Sequence, residues 1–291
     1  MIVPYPPGGS NDVLARPLAQ KVSEVFGQPV IVDNRTAAGG AIVADFVAKS
    51  PPEAHTLLFN SMAFAAAASD PRLPFDTAKD FAAVASVGQS PSVLVVHPAL
   101  PAKTVKNLIA LARSRPGQIN YSSSGIATTN HLAAELFRLK AGIDIVHVPY
   151  KGMAPAITDL IAGQVQMLIT SFPSVGAQLQ AGRVRAIAIT SLARSSFAPE
   201  LPTVAESGVP GYDVTSRWGF FAPAATPKPK PIVDRLNAEI WKLLLTADMR
   251  ERILKGGAEP FLATPDEFRV LFLTEDAKWT ALVRHARIKL E

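Results

Sequence analysis

The sequence contains no cysteine, which excludes thiol catalysis, thiolate metal sites and disulfides. Charge is also scarce, at 18% of residues, while 48% are hydrophobic. That balance disfavours long disordered segments and supplies a substantial core. The net charge of +5 is spread thinly. No basic run interleaves with aromatics, so nucleic acid is not an expected partner. No apolar run approaches the ~20 residues of a membrane helix, so no direct membrane insertion is expected. The five histidines, His55, His97, His131, His147 and His285, lack metal-ligand spacing. No glycine run matches a dinucleotide fingerprint or a P-loop, so neither metal nor cofactor is expected. The opening Met1-Ile2-Val3-Pro4 leaves no room for a signal peptide. It reads as a cytosolic start, or as a sequence that begins downstream of its natural one.

What is present is a repeated unit of short strand, small polar loop and helix. The first runs through Val3-Pro4-Tyr5-Pro6-Pro7-Gly8-Gly9-Ser10-Asn11-Asp12. Gly8 and Gly9 permit a sharp turn and close backbone approach. Ser10 reads as the N-cap of a helix over 11–26, with Val13, Leu14, Leu18, Val22 and Val25 on one face. The helix N-terminus suits an anion. Strands are expected over 29–32, 56–59, 84–87, 93–96, 119–121, 143–148, 165–169, 184–190 and 213–221. The break between 87 and 93 is placed at Gln89-Ser90-Pro91. Helices are expected after Gly39-Gly40, after Ser61 (alanine-rich), after Thr104 and over 129–140. Others should reach Ala162 and Ala181 and cover 232–245. A stiff connector is read at Pro223, Pro227, Pro229 and Pro231. Thr264-Pro265-Asp266-Glu267 is a capping box opening a long C-terminal helix.

This alternation implies two α/β domains with mostly parallel sheets flanked by helices. Residues 1–90 and 219–291 form a discontinuous outer domain, and 91–218 an inserted one. Ser90-Pro91 and Trp218–Phe221 are the expected crossings. Ligands of such sheets bind beyond the carboxyl ends of the strands. The loops there hold Pro7, Gly8, Gly9, Ser10 and Asp12; Gly39 and Gly40; Asn60 and Ser61; Ser122, Ser123, Gly125, Thr128, Thr129 and His131; Tyr150, Lys151 and Gly152; Thr170 and Ser171. The set is rich in hydroxyls, amides and bare backbone, and poor in acids and bases. It suits neutral hydrogen bonding to a polar ligand better than catalysis. Asp12 reads as a partner of its own loop. A hydrolase or lyase using Ser122 or Ser123 with His131 is the alternative, although no nucleophile elbow surrounds them. A carboxylate sensor feeding a signalling partner is another.

These residues carry a resemblance. Val3–Arg16, Gly27–Arg35 with Gly39-Gly40, Tyr121–Gly125 with His131–Phe137, His147–Gly152, Leu201–Gly208 and Trp218–Pro223 resemble the Bug-type solute receptors of tripartite tricarboxylate transporters. The resemblance implies a periplasmic, monomeric, type II-like Venus flytrap with a ligand cleft between its domains. It implies capture of a small organic carboxylate, with no chemistry, for a permease of one large and one small subunit. The loops matching the family's carboxylate-holding pair are Pro6–Asp12 and Ser122–Thr129. It also implies that an exported leader and part of the first strand precede Met1. Two positions depart from the family: Pro52-Glu53-Ala54-His55 replaces a glycine turn, and Thr170-Ser171 replaces an Asp-Asn pair. With Asp12 the sole acid in these loops, and Lys151 and Arg217 adding positive charge, the expected ligand is a dicarboxylate or a non-amino monocarboxylate.

Overall fold

The computed structural model describes residues 1–36, 41–52, 55–62, 64, 75–195, 198–224, 230–286 and 288. Gly39, Gly40, Glu53, Ala54, most of the alanine-rich stretch after Ser61, and Pro227 and Pro229 lie outside them. The elements are β1 (Ile2–Val3), α1 (Ser10–Phe26), β2 (Asp33–Asn34), α2 (Ala41–Ala48), β3 (Leu58–Ser61), α3 (Thr77–Asp80) and β4 (Phe81–Val96). Next come α4 (Val105–Ser114), β5 (Asn120–Ser123), α5 (Thr129–Ala141), β6 (Val146–Pro149), α6 (Met153–Ile161), β7 (Met167–Ser171), α7 (Phe172–Gln180) and β8 (Arg185–Ile189). The chain ends with β9 (Thr215–Pro223), α8 (Lys230–Leu245), α9 (Ala247–Lys255), β10 (Glu259–Pro260) and α10 (Pro265–His285). No helix among the described residues is long and apolar enough to cross a membrane.

The chain divides into two compact units, one built from Met1–Gln89 and Arg217–His285, the other from Ser90–Ser216. In unit 1, β1 pairs in parallel with β2 and β3, and β3 pairs antiparallel with β9. Period-2 alternation sends neighbouring strand residues to opposite faces. Val3, Phe59 and Phe220 join Leu14, Leu18, Ile240, Leu244, Met249 and Ile253 from α1, α8 and α9. Ile2, Leu58 and Phe221 join Val43, Val47, Phe268 and Phe272 from α2 and α10. Fully burying each such side chain contributes about 1.5–3 kcal/mol. The capping box forms as expected: Thr264 N–H donates to Glu267 Oε2 (2.8 Å), and Glu267 N–H to Thr264 Oγ1 (3.2 Å).

In unit 2, β5 pairs in parallel with β6 and β7, while β7 and β8 run antiparallel to the second half of β4. Ile157, Leu160 and Val175 of α6 and α7 pack with Val93, Val95 and Leu168. Helix α5 lies along β5 and β7. Thr104 caps α4 through its hydroxyl, which accepts from Asn107 N–H.

Several local expectations are corrected. Residues 84–96 form one strand, not two. Gly88 and Gln89 pair with β10, and from Ser92 onward the partners are β7 and β8. Pro91, which has no N–H to give, sits where the partners change. Residues 29–32 are not a strand; only Asp33–Asn34 pair with the two residues of β1. Val30 N–H goes instead to the Ser23 hydroxyl (2.8 Å). On α1 the buried face is Leu14, Ala15, Leu18, Ala19 and Val22, with Val13 and Val25 exposed. Helix α9, absent from the expectation, carries Met249 and Ile253 into the core, and strand β10, also absent from it, pairs with β4.

Candidate functional site

In unit 1 the residues Pro7–Asp12 and Asn60–Ser61 come together where β1 and β3 end. Gly8 has φ +88°, a left-handed conformation that glycine adopts without strain. Its N–H donates to Asp12 Oδ2 (3.0 Å). Asp12 also accepts from Arg16 Nε (3.0 Å) and from Asn34 Nδ2 (3.0 Å), and pairs with Arg16 Nη2 at 2.8 Å. Asn34 Nδ2 reaches the Tyr5 carbonyl as well (3.1 Å). The acid is therefore consumed by its own loop. Burial alone would raise its pKa; the hydrogen bonds from Arg16, Gly8 and Asn34, with the Arg16 charge, outweigh that and hold it below the usual value.

Ser10 is not the N-cap of α1. Gly9 occupies that position in extended conformation and has no side chain with which to cap the helix. With Asp12 turned back to Gly8, no side chain among the described residues accepts from the first-turn amides. Beside them lies Asn60, 1% exposed. Its Oδ1 accepts from Asn11 Nδ2 (2.9 Å) and from Ser61 N–H (2.8 Å). Two donors on Oδ1 fix the amide orientation. Asn60 Nδ2 then has no acceptor among the described residues. An unsatisfied buried donor costs about 1–3 kcal/mol, so this one calls for an explanation.

In unit 2 the loop after β5 is tightly self-bonded. Ser123 Oγ donates to Gly125 O (3.0 Å) and accepts from Gly125 N–H (3.2 Å). Thr128 Oγ1 donates to Gly125 O (2.7 Å). Ser124 Oγ donates to Asn130 Oδ1 (2.8 Å), and Asn130 Nδ2 donates to Ile169 O (3.0 Å). The N–H groups of Tyr150 and Gly152 donate to the carbonyls of Ser123 and Ser124 (both 3.1 Å). Gly125, Thr128, Thr129, His131, Tyr150, Lys151, Gly152, Thr170 and Ser171 thus gather at the carboxyl ends of β5, β6 and β7, as the parallel order requires.

Some of these groups are already engaged. Ser122 Oγ donates to Ala156 O (3.3 Å), and Thr170 Oγ1 contacts Met153 Sδ (3.7 Å). Ser171 Oγ lies 3.3 Å from Ser174 Oγ. Tyr150 gives its phenol proton to Asp159 (2.6 Å), and burial with the Asp159 carboxylate pushes its pKa up to about 12. Lys151 is exposed. Arg217, expected to add free positive charge, instead pairs with Glu275 (3.5 Å) inside unit 1.

His131 does not meet Ser122 or Ser123. Its Nδ1 accepts from Ala127 N–H (3.0 Å). The serine's partner is His147, with Nε2 at 2.7 Å from Ser123 Oγ. Burial and the neighbouring His131 lower the His147 pKa to about 3. So weak a base does not take a serine proton near neutral pH. Sequence reasoning missed His147, Asn11, Asn34 and Asn130. The one available signal was alternation: His147 lies opposite Tyr121 in the β5–β6 register, which only the pairing reveals.

Two α/β units, each with polar loops at the carboxyl ends of parallel strands, place the molecule among the periplasmic binding proteins. The structure is similar to R. palustris Rpa4515 with adipate, with TM-score 0.91 and 35% identity over 99% of this chain and 96% of that one. It is also similar to MatC from Rhodopseudomonas palustris with bound malate, with TM-score 0.89 and 30% identity over 97% of each chain. In sequence it is 39% identical to Protein BugT of Bordetella pertussis, over 100% of this chain and 90% of that protein. Residues 14–288 match the family described as Tripartite tricarboxylate transporter family receptor. The chain belongs to that family.

Proposed function

We propose that the protein is an extracytoplasmic, periplasmic receptor that captures a small organic carboxylate, carries out no chemistry on it, and delivers it to the permease subunits of a tripartite tricarboxylate transporter. The observation that carries this reading is Asn60 Nδ2, a buried donor without an acceptor among the described residues, beside the start of α1, whose N-cap is a glycine. A carboxylate supplies the acceptors that this corner lacks. The second loop, Ser123–Thr129, carries no charged side chain, and the depressed basicity of His147 argues against a serine nucleophile. Adipate and malate in two solved relatives favour the same ligand class.

Asp12 is spent on its own loop, and Thr170 and Ser171 are neutral, so no free acid is offered to an ammonium group, whose unpaired burial is costly. The ligand is then a dicarboxylate or a non-amino monocarboxylate. A thermal-shift panel tests this. A ligand at roughly 100 times its Kd adds about 2.7 kcal/mol, enough for a shift of several degrees. Larger shifts are expected with adipate, succinate or malate than with aspartate or glutamate; the reverse order overturns the preference.

Gly9 has an ordinary φ of −79°, and a Cβ there meets only the Pro6 carbonyl at 3.9 Å. Gly9→Val should therefore fold normally. It covers the backbone the ligand would approach and should weaken adipate binding at least tenfold, about 1.4 kcal/mol. Unchanged calorimetric affinity in the folded variant removes this loop from the site. The proposal further includes closure of the two units on the ligand about the two crossings. Small-angle scattering should then report a smaller radius of gyration at saturation.

A further inference from the structure

We infer that His131 and His147 are neutral positioning residues that hold the Ser123–Thr128 loop in its ligand-ready shape, His131 through the Ala127 amide and His147 through the Ser123 hydroxyl. The inference rests on the reading above only for what the loop binds. Its geometry stands alone.

Among the described residues, Ala127 is the non-glycine residue with positive φ, at +59°, a conformation that costs free energy for a residue with a Cβ. Such strain persists only where the surroundings over-determine it. Here the Ala127 N–H donates to His131 Nδ1, 3.0 Å away, from a ring that is 4% exposed. Four residues separate the two, so the first turn of α5 reaches back to clamp the loop that leads into it. At the other end, His147 Nε2 fixes the Ser123 hydroxyl, which in turn holds both the N–H and the carbonyl of Gly125.

The two imidazoles lie parallel, with centroids 3.8 Å apart and 7° between planes. Tyr121 stacks on His147 at 4.9 Å. Because His131 Nδ1 accepts a hydrogen bond, its neutral ring carries the proton on Nε2. Adding a second proton removes the acceptor that Ala127 needs and sets a cation against the neighbouring ring. The charged and titratable groups around the pair are Tyr121 on β5 and Glu135 and Arg138 on α5. Tyr121 donates to Glu135 Oε1 (2.6 Å), whose other oxygen pairs with Arg138 (2.8 Å), so the carboxylate is engaged on both sides and leaves the imidazoles neutral. Burial pushes His131 down to about 4, with the Arg138 charge acting in the same direction.

The test separates the acceptor from the ring's bulk. His131→Leu keeps an apolar side chain of similar reach and removes the acceptor. His131→Asn places an amide oxygen near the position of Nδ1. In ligand-free protein, amide hydrogen exchange at Ala127 should quicken at least tenfold in His131→Leu and return most of the way in His131→Asn. Calorimetric affinity for adipate should fall at least tenfold and recover in the same order. Nitrogen-15 spectra of the wild-type imidazoles at pH 6 should show His131 neutral with the proton on Nε2. Unchanged Ala127 exchange in a folded His131→Leu, equal behaviour of the two variants, or a protonated His131 at pH 6 overturns the inference. If the wild type binds no dicarboxylate, the functional reading fails, and the exchange and nitrogen data still decide the role of the histidines.

Discussion

Gly219→Ala is expected to destabilise the protein by about 3 kcal/mol or more, the upper end of what forced overpacking costs. Gly219 sits in the middle of β9, opposite Asn60 of β3. A Cβ built there collides with the Phe268 ring and lies 2.5 Å from the Ala85 carbonyl. The ring is fully buried and held by Phe221, with centroids 5.3 Å apart, so it has little room to move. The carbonyl belongs to β4 backbone and is less able to move still. At roughly 2–4 °C per kcal/mol for a protein of this size, the melting temperature should fall by about 6–12 °C. A melting temperature within about 2 °C of wild type would mean that β9 and α10 are not packed as described. Because Asn60 is the cross-strand neighbour, a shift of β9 that makes room for the methyl also displaces the Asn60 amide. Affinity for adipate should therefore drop even at temperatures where the variant remains folded.

Asp12→Ala should weaken binding about a hundredfold, near 2.7 kcal/mol, without preventing folding. One carboxylate holds Gly8 N–H, Asn34 Nδ2 and Arg16 together. Hydrogen bonds to a charged group contribute roughly 1.5–3 kcal/mol each, and partners left behind lose more than the bond itself. Without them the left-handed turn at Gly8 has nothing to hold it closed. Asp12→Asn, which keeps an acceptor and loses the charge, should fall between. The acid dependence follows from the sign of the shift. A carboxyl whose folded pKa lies below its unfolded value contributes stability above the unfolded value and loses it as pH falls through the folded one. The stability gap between wild type and Asp12→Ala should be constant from neutrality down to about pH 5 and should narrow below about pH 4. A folded Asp12→Ala with wild-type affinity would show that the turn keeps its shape unaided.

Much of the molecule was legible in the residues because the signals are local. The capping box at Thr264–Glu267 and the start of a helix after Thr104 each depend on a few neighbouring side chains, and each forms. The glycine turn before α1 and the serine-rich turn before α5 were read from composition alone. The self-serving role of Asp12 followed from its place in the first helical turn. Where expectations failed, a partner distant in sequence decided the outcome. A proline normally breaks a strand, yet β4 runs through Pro91 because its neighbours change there and no N–H is required. Residues 29–32 have strand propensity, but on that side the two residues of β1 pair with Asp33 and Asn34 instead.

By itself the sequence determined the alternation of strands and helices, the polar, acid-poor loops at the strand ends, and membership of a receptor family. The first two follow from periodicity and from side chains within a turn of one another; the family follows from the resemblance of motifs spread along the chain. Only the tertiary structure decided which loop groups remain available. It spent Arg217 on Glu275, 58 residues further along the chain by their numbering, and the Tyr150 phenol on Asp159. It left Asn60 Nδ2 without an acceptor among the described residues beside α1, and it stacked His147 on His131 behind the second loop. Pairing, register and burial are long-range. A hydroxyl or an imidazole carries no mark in sequence of the partner that folding will bring to it.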